Sequence, residues 1–357
     1  MSRRFSIVVF CIAVAAVLIY SQRIVLSKAL IERIAEQRIG LNMIADLDDG
    51  LHVILCGAGG PLPDPKRSGP CVAVVAGNTV LTVDAGSGGS RNLAAMQFPQ
   101  GEIDAQLLTH FHSDHIDGLG ELAMMRWVNA ANTSPLPVIG PRGTQAVVDG
   151  FNQSYAQDAL YRHAHHSDLV APLSGTGMIA QEFNPPKPGE RVIVFEQEGL
   201  TVSAFSVDHE PVSPAVAYRF DYKGRSVVIS GDTAKSANLE AMSAGIDLLV
   251  HEALSPELVG IMNRAAKKNG IAIIEKITHD IIDYHASPLE VAEIARDVGA
   301  GHLLFYHVVP ALIAPGMEAI FLDGVDDVYK GEVTVGIDGL MMSLPAKSDK
   351  IESSELM

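Results

Sequence analysis

Apolar positions along this chain fall into two regimes. From Phe5 to Tyr20 the hydrocarbon run is unbroken by charge, and a basic pair, Arg3-Arg4, stands before it. Charge followed by hydrocarbon is the order of an export signal, and the run nears the length of a bilayer span once flanking residues are added. Residues 1–22 are therefore predicted to be a signal anchor or a cleaved signal peptide, with Ser27-Lys28-Ala29 as a late cleavage option. The basic pair on the inner side places the rest of the chain outside the cytoplasmic membrane, so a membrane-anchored or exported protein is expected. Residues 23–48 carry Ala29, Leu30 and Ile34 at helical spacing among charges, which predicts a juxtamembrane helix or linker.

From His52 onward short apolar runs alternate with turn and helical stretches. The runs at 79–83, 105–108, 201–207, 226–230, 247–250 and 302–306 read as strands. Each is followed closely by a residue able to bind or orient a cation: Asp84, His110, His209, Asp232, His251 and His307. Strand ends sharing one edge of a sheet are where a rigid scaffold presents reactive groups. Ser287-Pro288-Leu289-Glu290 carries an N-cap, a proline at the first helical position and a capping-box glutamate, and Gly299 stops the helix it opens. Ser255-Pro256-Glu257 opens another. This mixture predicts two sheets with helices outside, not a doubly wound sheet. The folded domain is expected over residues 49–345, and the polar, charged residues 346–357 as a flexible tail.

Composition changes the picture at three points. A chain of 357 residues with 48% hydrophobic content can bury one large core or two moderate ones. A net charge of −16 lacks the clustered Lys and Arg of a nucleic-acid surface, so no nucleic-acid partner is expected. The three cysteines allow at most one bridge outside the apolar segment, Cys56–Cys71, and none is expected. Gly57-Ala58-Gly59-Gly60 is followed by Pro61 and Pro63 and not by a helix, so it is a turn and not a dinucleotide loop.

The densest chemistry is His110-Phe111-His112-Ser113-Asp114-His115. Side chains two apart on an extended segment point the same way, so His110 and His112 can reach one ion. Asp114 and His115 lie past the turn and can face a second. Imidazole nitrogen and carboxylate oxygen are donors that zinc prefers.

These residues resemble the metallo-β-lactamase superfamily, whose central motif is H-x-H-x-D-H; Val83-Asp84-Ala85-Gly86 is similar to its first motif. The similarity is to the ribonuclease Z and arylsulfatase-like branch. It is carried by Val207-Asp208-His209 with Ala217-Tyr218-Arg219-Phe220, by Ile229-Ser230-Gly231-Asp232-Thr233, by His251-Glu252-Ala253, and by His285-Ala286-Ser287 with His307. The resemblance implies a four-layer αββα sandwich holding two Zn²⁺ ions. One ion goes to His110, His112 and His209, the other to Asp114, His115 and His307, with Asp232 bridging and Asp84 orienting a ligand histidine. It implies a hydrolase in which a metal-bridging hydroxide attacks a phosphodiester or sulfate ester, with His251, His285 and Asp114 as catalytic residues and His251 assisting the leaving group. The alternatives are a tRNA 3′-processing endoribonuclease, a lactone or thioester hydrolase, and a non-catalytic membrane-tethered binding protein. Against tRNA processing, Asp221-Tyr222-Lys223-Gly224-Arg225 leads straight to the next strand where that enzyme carries an RNA-gripping arm. A small anionic ester is the substrate this favours, and a homodimer is a possible assembly. The stretch 143–188, with Tyr161, Arg162, His163, His165 and His166, reads as a helical insert near the active site, with a cap, a third metal site and a solvated helix face as its possible roles.

Overall fold

The structure, a computed structural model, describes residues 3–357; Ser2 and the side chains of Arg3 and Arg4, part of the export-signal reading, lie outside the described residues. The chain divides into two compact units, Met1–Met43 and Ile44–Met357. In the first, α1 (Arg3–Ser21) is followed by α2 (Arg23–Arg38), which buries no residue. No single helix among the described residues is long and apolar enough to cross a membrane. The segments Phe10–Ser21 and Arg23–Arg38 reach that length and hydropathy only as a pair bent by 66°.

The second unit is built on two sheets. Its strands are β1 (Gly50–Gly57), β2 (Cys71–Ala76), β3 (Thr79–Val83), β4 (Ala105–Leu107), β5 (Leu136–Pro141), β6 (Met178–Phe183), β7 (Val192–Gln197) and β8 (Leu200–Ser206). They continue as β9 (Val216–Tyr222), β10 (Arg225–Ile229), β11 (Leu248–Leu254), β12 (His302–Val309), β13 (Glu332–Val335), β14 (Leu340–Pro345) and β15 (Glu352–Glu355). Among the described residues one sheet has the order β15-β14-β1-β2-β3-β4-β5-β6 and the other β13-β12-β11-β10-β9-β8-β7.

Side chains alternate across each strand, and the alternation assigns the layers. Leu248, Val250, Leu304 and Tyr306 face Val53, Val74, Leu81 and Leu107 of the opposite sheet in one core. Leu249, Leu303 and Phe305 point the other way, onto Val291, Ile294 and Val298 of α10 (Pro288–Val298). On the far side α3 (Gly89–Ala95), α5 (Leu119–Asn129) and α6 (Thr144–Val170) pack on the first sheet. The result is the expected four-layer αββα sandwich. Helix α10 starts and stops as the sequence predicts: Ser287 accepts from the Glu290 amide in a capping box, and Gly299 takes φ 68° at the end.

Two expectations are corrected. Residues 346–357 are not a free tail, because β15 pairs antiparallel with β14 from Leu340↔Glu355 to Ser343↔Glu352. Its side chains stay exposed, so backbone hydrogen bonding holds it and no hydrophobic pattern announces it. The Cys56–Cys71 disulfide does form, with Cα atoms 5.0 Å apart. Pairing of β1 with β2, irregular between Leu55 and Gly57, sets Gly57 opposite Cys71 and brings its neighbour Cys56 within reach. Here a Cβ on Gly57 would overlap the Gly69 carbonyl oxygen, so the turn requires glycine.

Candidate metal centre

Four strands, β4, β8, β10 and β12, lead to the donors at one edge of the sandwich, and a fifth, β3, leads to a carboxylate that orients one of them. Asp84 follows β3 in the left-handed region at φ 55°, and its carboxylate accepts from the Thr109 amide (2.9 Å), the Thr109 hydroxyl (2.8 Å) and His115 Nδ1 (2.7 Å). These bonds pin the chain leaving β4 and fix the His115 proton on Nδ1, so that Nε2 offers its lone pair. His112 stands at the N-cap of the short α4 (Ser113–Ile116), which carries Asp114 and His115. His209 follows β8 and donates Nδ1–H to the Tyr284 carbonyl at 2.8 Å, leaving its Nε2 free for the centre. Asp232 follows β10. His307 sits within β12 at φ 43°, where pairing with β11 slips from Glu252↔Tyr306 to Ala253↔Val308. It is the extra residue of a β-bulge, a device that re-aims a side chain.

These side chains converge on one another. One group of ligand atoms joins His110, His112, His209 and Asp232, and a second joins Asp114, His115 and His307, the atoms of each lying within 4.8 Å of one another. Asp232 stands between them: its Oδ2 is 3.8 Å from His110 Nε2, 3.9 Å from His209 Nε2 and 3.4 Å from His307 Nε2, and its Oδ1 is 3.3 Å from His115 Nε2. His115 Nε2, His209 Nε2 and Asp232 Oδ1 are buried with no hydrogen-bond partner. Buried polar atoms are ordinarily satisfied, and three of them aimed at one point fit a pair of divalent cations sharing a carboxylate.

Electrostatics agrees. Burial holds His110, His112 and His209 below the ordinary imidazole value, keeping them neutral as ligands must be. Burial is the largest single effect on His115 and His307 and opposes their charge, but the carboxylates together outweigh it and raise both, Asp232 with Asp84 for His115 and Asp232 with Asp114 for His307. Asp232 in turn is held well below the usual carboxylate range by His115 and His307, against the opposing effect of burial. The carboxylates thus create a field that calls for positive charge, which cations can supply in place of protons.

His285 reaches the centre, in a group with Asp232 and His307. Its Nδ1 is 2.9 Å from Glu252 Oε1; burial disfavours its charge, but Glu252 prevails and raises it to about 9. His251 is corrected. The run read as ending at residue 250 continues through Leu254, so His251 lies mid-strand opposite Phe305, fully buried. Its Nδ1 meets the Glu252 carbonyl at 2.7 Å, and it belongs to none of the metal-holding groups among the described residues. Nor do His163, His165 and His166, which lie on α6; His165 and His166 are exposed. Thr109 and Tyr284 were not foreseen: one acts through Asp84 and the other through a main-chain carbonyl, and neither leaves a pattern in sequence.

Fold and donor set together define a metal-dependent hydrolase of ester bonds. Residues 79–308 match the family model described as a beta-lactamase superfamily domain. The chain belongs to the metallo-β-lactamase superfamily. It is 36% identical over 290 residues to a protein named ribonuclease Z from Mycobacterium bovis, covering 81% of this chain and 96% of that one. It is 37% identical over 273 residues to another of that name from Mycolicibacterium gilvum, covering 75% of this chain and 87% of that one. Its fold is similar to human tRNase Z, short form, with a TM-score of 0.59 at 20% identity over 82% of this chain and 99% of that one. It is also similar to the metallo-beta-lactamase fold protein YhfI from Bacillus subtilis, with a TM-score of 0.58 at 20% identity over 83% of this chain and 100% of that one. These relatives overturn the expectation that nucleic acid is excluded. Net charge is a whole-chain sum, and it does not report how a metal centre meets phosphate locally.

Proposed function

We propose that this protein is a ribonuclease Z-type phosphodiesterase that cleaves RNA at a dizinc centre. The observation that carries the reading is the pair of donor groups sharing Asp232, in a chain 36% identical to ribonuclease Z over 81% of its length. When bound, two such ions neutralise phosphoryl oxygens and lower the pKa of a bound water.

The chain's own residues do the rest. Asp84 and the Tyr284 carbonyl lock the tautomers of His115 and His209. Glu252, anchored by the Thr233 amide at 3.1 Å, holds His285 protonated. His285 then gives its Nε2 proton to the departing oxygen. The relatives' name favours RNA over a sulfate ester, lactone or thioester. Because β9 and β10 are joined directly at Lys223-Gly224, RNA is gripped from other surfaces of the molecule. The basic-then-apolar N-terminus and the Cys56–Cys71 bridge support a location outside the cytoplasm, since disulfides persist in oxidising compartments.

The zinc-loaded full chain should cleave a precursor tRNA with a 3′ trailer and bis(4-nitrophenyl) phosphate, and His110→Ala or Asp232→Ala should abolish both. Turnover of nitrophenyl sulfate or an acyl lactone with both phosphodiesters untouched would sink the reading.

A further inference from the structure

Beside the metal centre lies a cavity of about 220 Å³ whose walls are hydrocarbon, from Leu62, Met262, Ile274, Ile277, Ile281 and Val309. Ile274 and Ile277 belong to α9 (Ala272–Asp280), which packs on α8 (Pro256–Lys268), and both are half-exposed, so the cavity opens to solvent. Tyr284 and His285 form its inner wall. The Tyr284 ring lies 4.9 Å from the ring of ligand His209 and 4.6 Å from that of His285, between ring centroids. The same two residues thus bound the metal centre on one side and the cavity on the other.

Two polar groups on this lining are already engaged. Thr278 Oγ1 donates to the Ile274 carbonyl at 2.6 Å and accepts from Asn263 Nδ2 at 2.9 Å, while His285 Nδ1 is held by Glu252. Apart from the Tyr284 hydroxyl and the His285 Nε2 that serves the departing oxygen, the remaining side chains named above offer only carbon or sulfur surface, with no array of polar groups matched to the edge of a nucleobase. A cavity of roughly 150 Å³ suffices for benzene when its walls are apolar, so this one takes an aryl ring or an alkyl chain of several carbons.

We infer that the cavity is a subsite for a hydrocarbon group carried by the ester, so that the centre hydrolyses alkyl phosphodiesters in addition to RNA. The inference rests on the phosphodiesterase reading above. Each methylene that enters should raise kcat/KM roughly fourfold until the cavity is full.

The test uses the zinc-loaded full chain and 4-nitrophenyl alkyl phosphodiesters from methyl to octyl. The wild type should show kcat/KM climbing with chain length and then levelling. Ile277→Ser, a half-exposed position that should fold normally, should flatten the climb and leave methyl-ester turnover unchanged. Met262→Trp, which narrows the cavity, should end the climb at a shorter chain. A wild-type rate independent of chain length, or a climb unaltered in both variants, would overturn the subsite while leaving the phosphodiesterase intact. Absence of turnover for every member, methyl included, would refute the phosphodiesterase reading and the subsite together.

Discussion

Asp84→Asn isolates what a single carboxylate contributes to the metal centre. The substitution keeps volume, and asparagine tolerates the left-handed backbone at φ 55°. It changes only which atoms accept. Asp84 Oδ2 receives His115 Nδ1–H at 2.7 Å and Oδ1 receives the Thr109 amide at 2.9 Å. An amide has one oxygen, so one of these donors must face an NH₂ group. If His115 faces it, the imidazole moves its proton to Nε2, the atom directed at Asp232 across 3.3 Å, and that lone pair is lost to the metal. If the Thr109 amide faces it, the segment carrying His110 and His112 loses its anchor. Partners of this kind affect metal affinity by about 10- to 100-fold, or roughly 1.4–2.8 kcal/mol. Competition titration against a chromophoric chelator reads the affinity, with circular dichroism confirming the fold. An Asp84→Asn protein that holds two zinc ions as tightly as wild type would refute this account of the carboxylate.

Glu252→Gln should retain zinc while kcat falls by roughly 10²–10⁴, the usual worth of a positioned proton donor, and the alkaline limb of the pH–rate profile should move to lower pH because Glu252 is what raises His285. His52 is buried in bonds to Ser343 and the Asp48 carbonyl, and burial lowers its pKa. The unfolded chain therefore takes up a proton near pH 6.5 that the folded chain refuses, so the urea midpoint should drop as pH falls from about 7 to 5, and His52→Gln should make that slope shallower by one histidine's share. Replacing Cys56 and Cys71 by serine opens a loop of sequence separation 15 and should cost roughly 3 kcal/mol in urea denaturation, with zinc binding preserved.

Sequence reached furthest where one residue type must do one job. The HxHxDH run, Asp232 and His307 were legible because few side chains bind metal and each followed an apolar run. The α10 boundaries were legible because capping is local: Ser287, Pro288, Glu290 and Gly299 act within one turn of their own positions. What escaped notice depends on pairing between distant segments. The edge strand β15 has polar side chains and is held by β14. The disulfide depends on the register between β1 and β2. His251 seemed to end a run because Glu252 interrupts the apolar pattern. Yet Glu252 is buried inside β11, with Thr233 and His285 as partners that no local rule reveals.

The bulge at His307 also has a bearing on how such a chain can vary. Upstream of it, Leu304 and Tyr306 face the inter-sheet core; downstream, Val308 joins the helix-side core with Leu303 and Phe305. One extra residue reverses the parity of the strand. A single-codon deletion at Leu304 or Phe305 would turn one side of the strand around and set the two cores against each other, whereas loss of His307 itself would restore the regular alternation and remove the ligand alone. The turn at 198–199, between β7 and β8 at the end of β8 opposite His209, can lengthen with little consequence for this edge, whereas the regular stretch of β12 has to keep its count. Within this molecule, insertions and deletions belong to the loops and the bulge, and substitutions are the changes the regular part of β12 can accept.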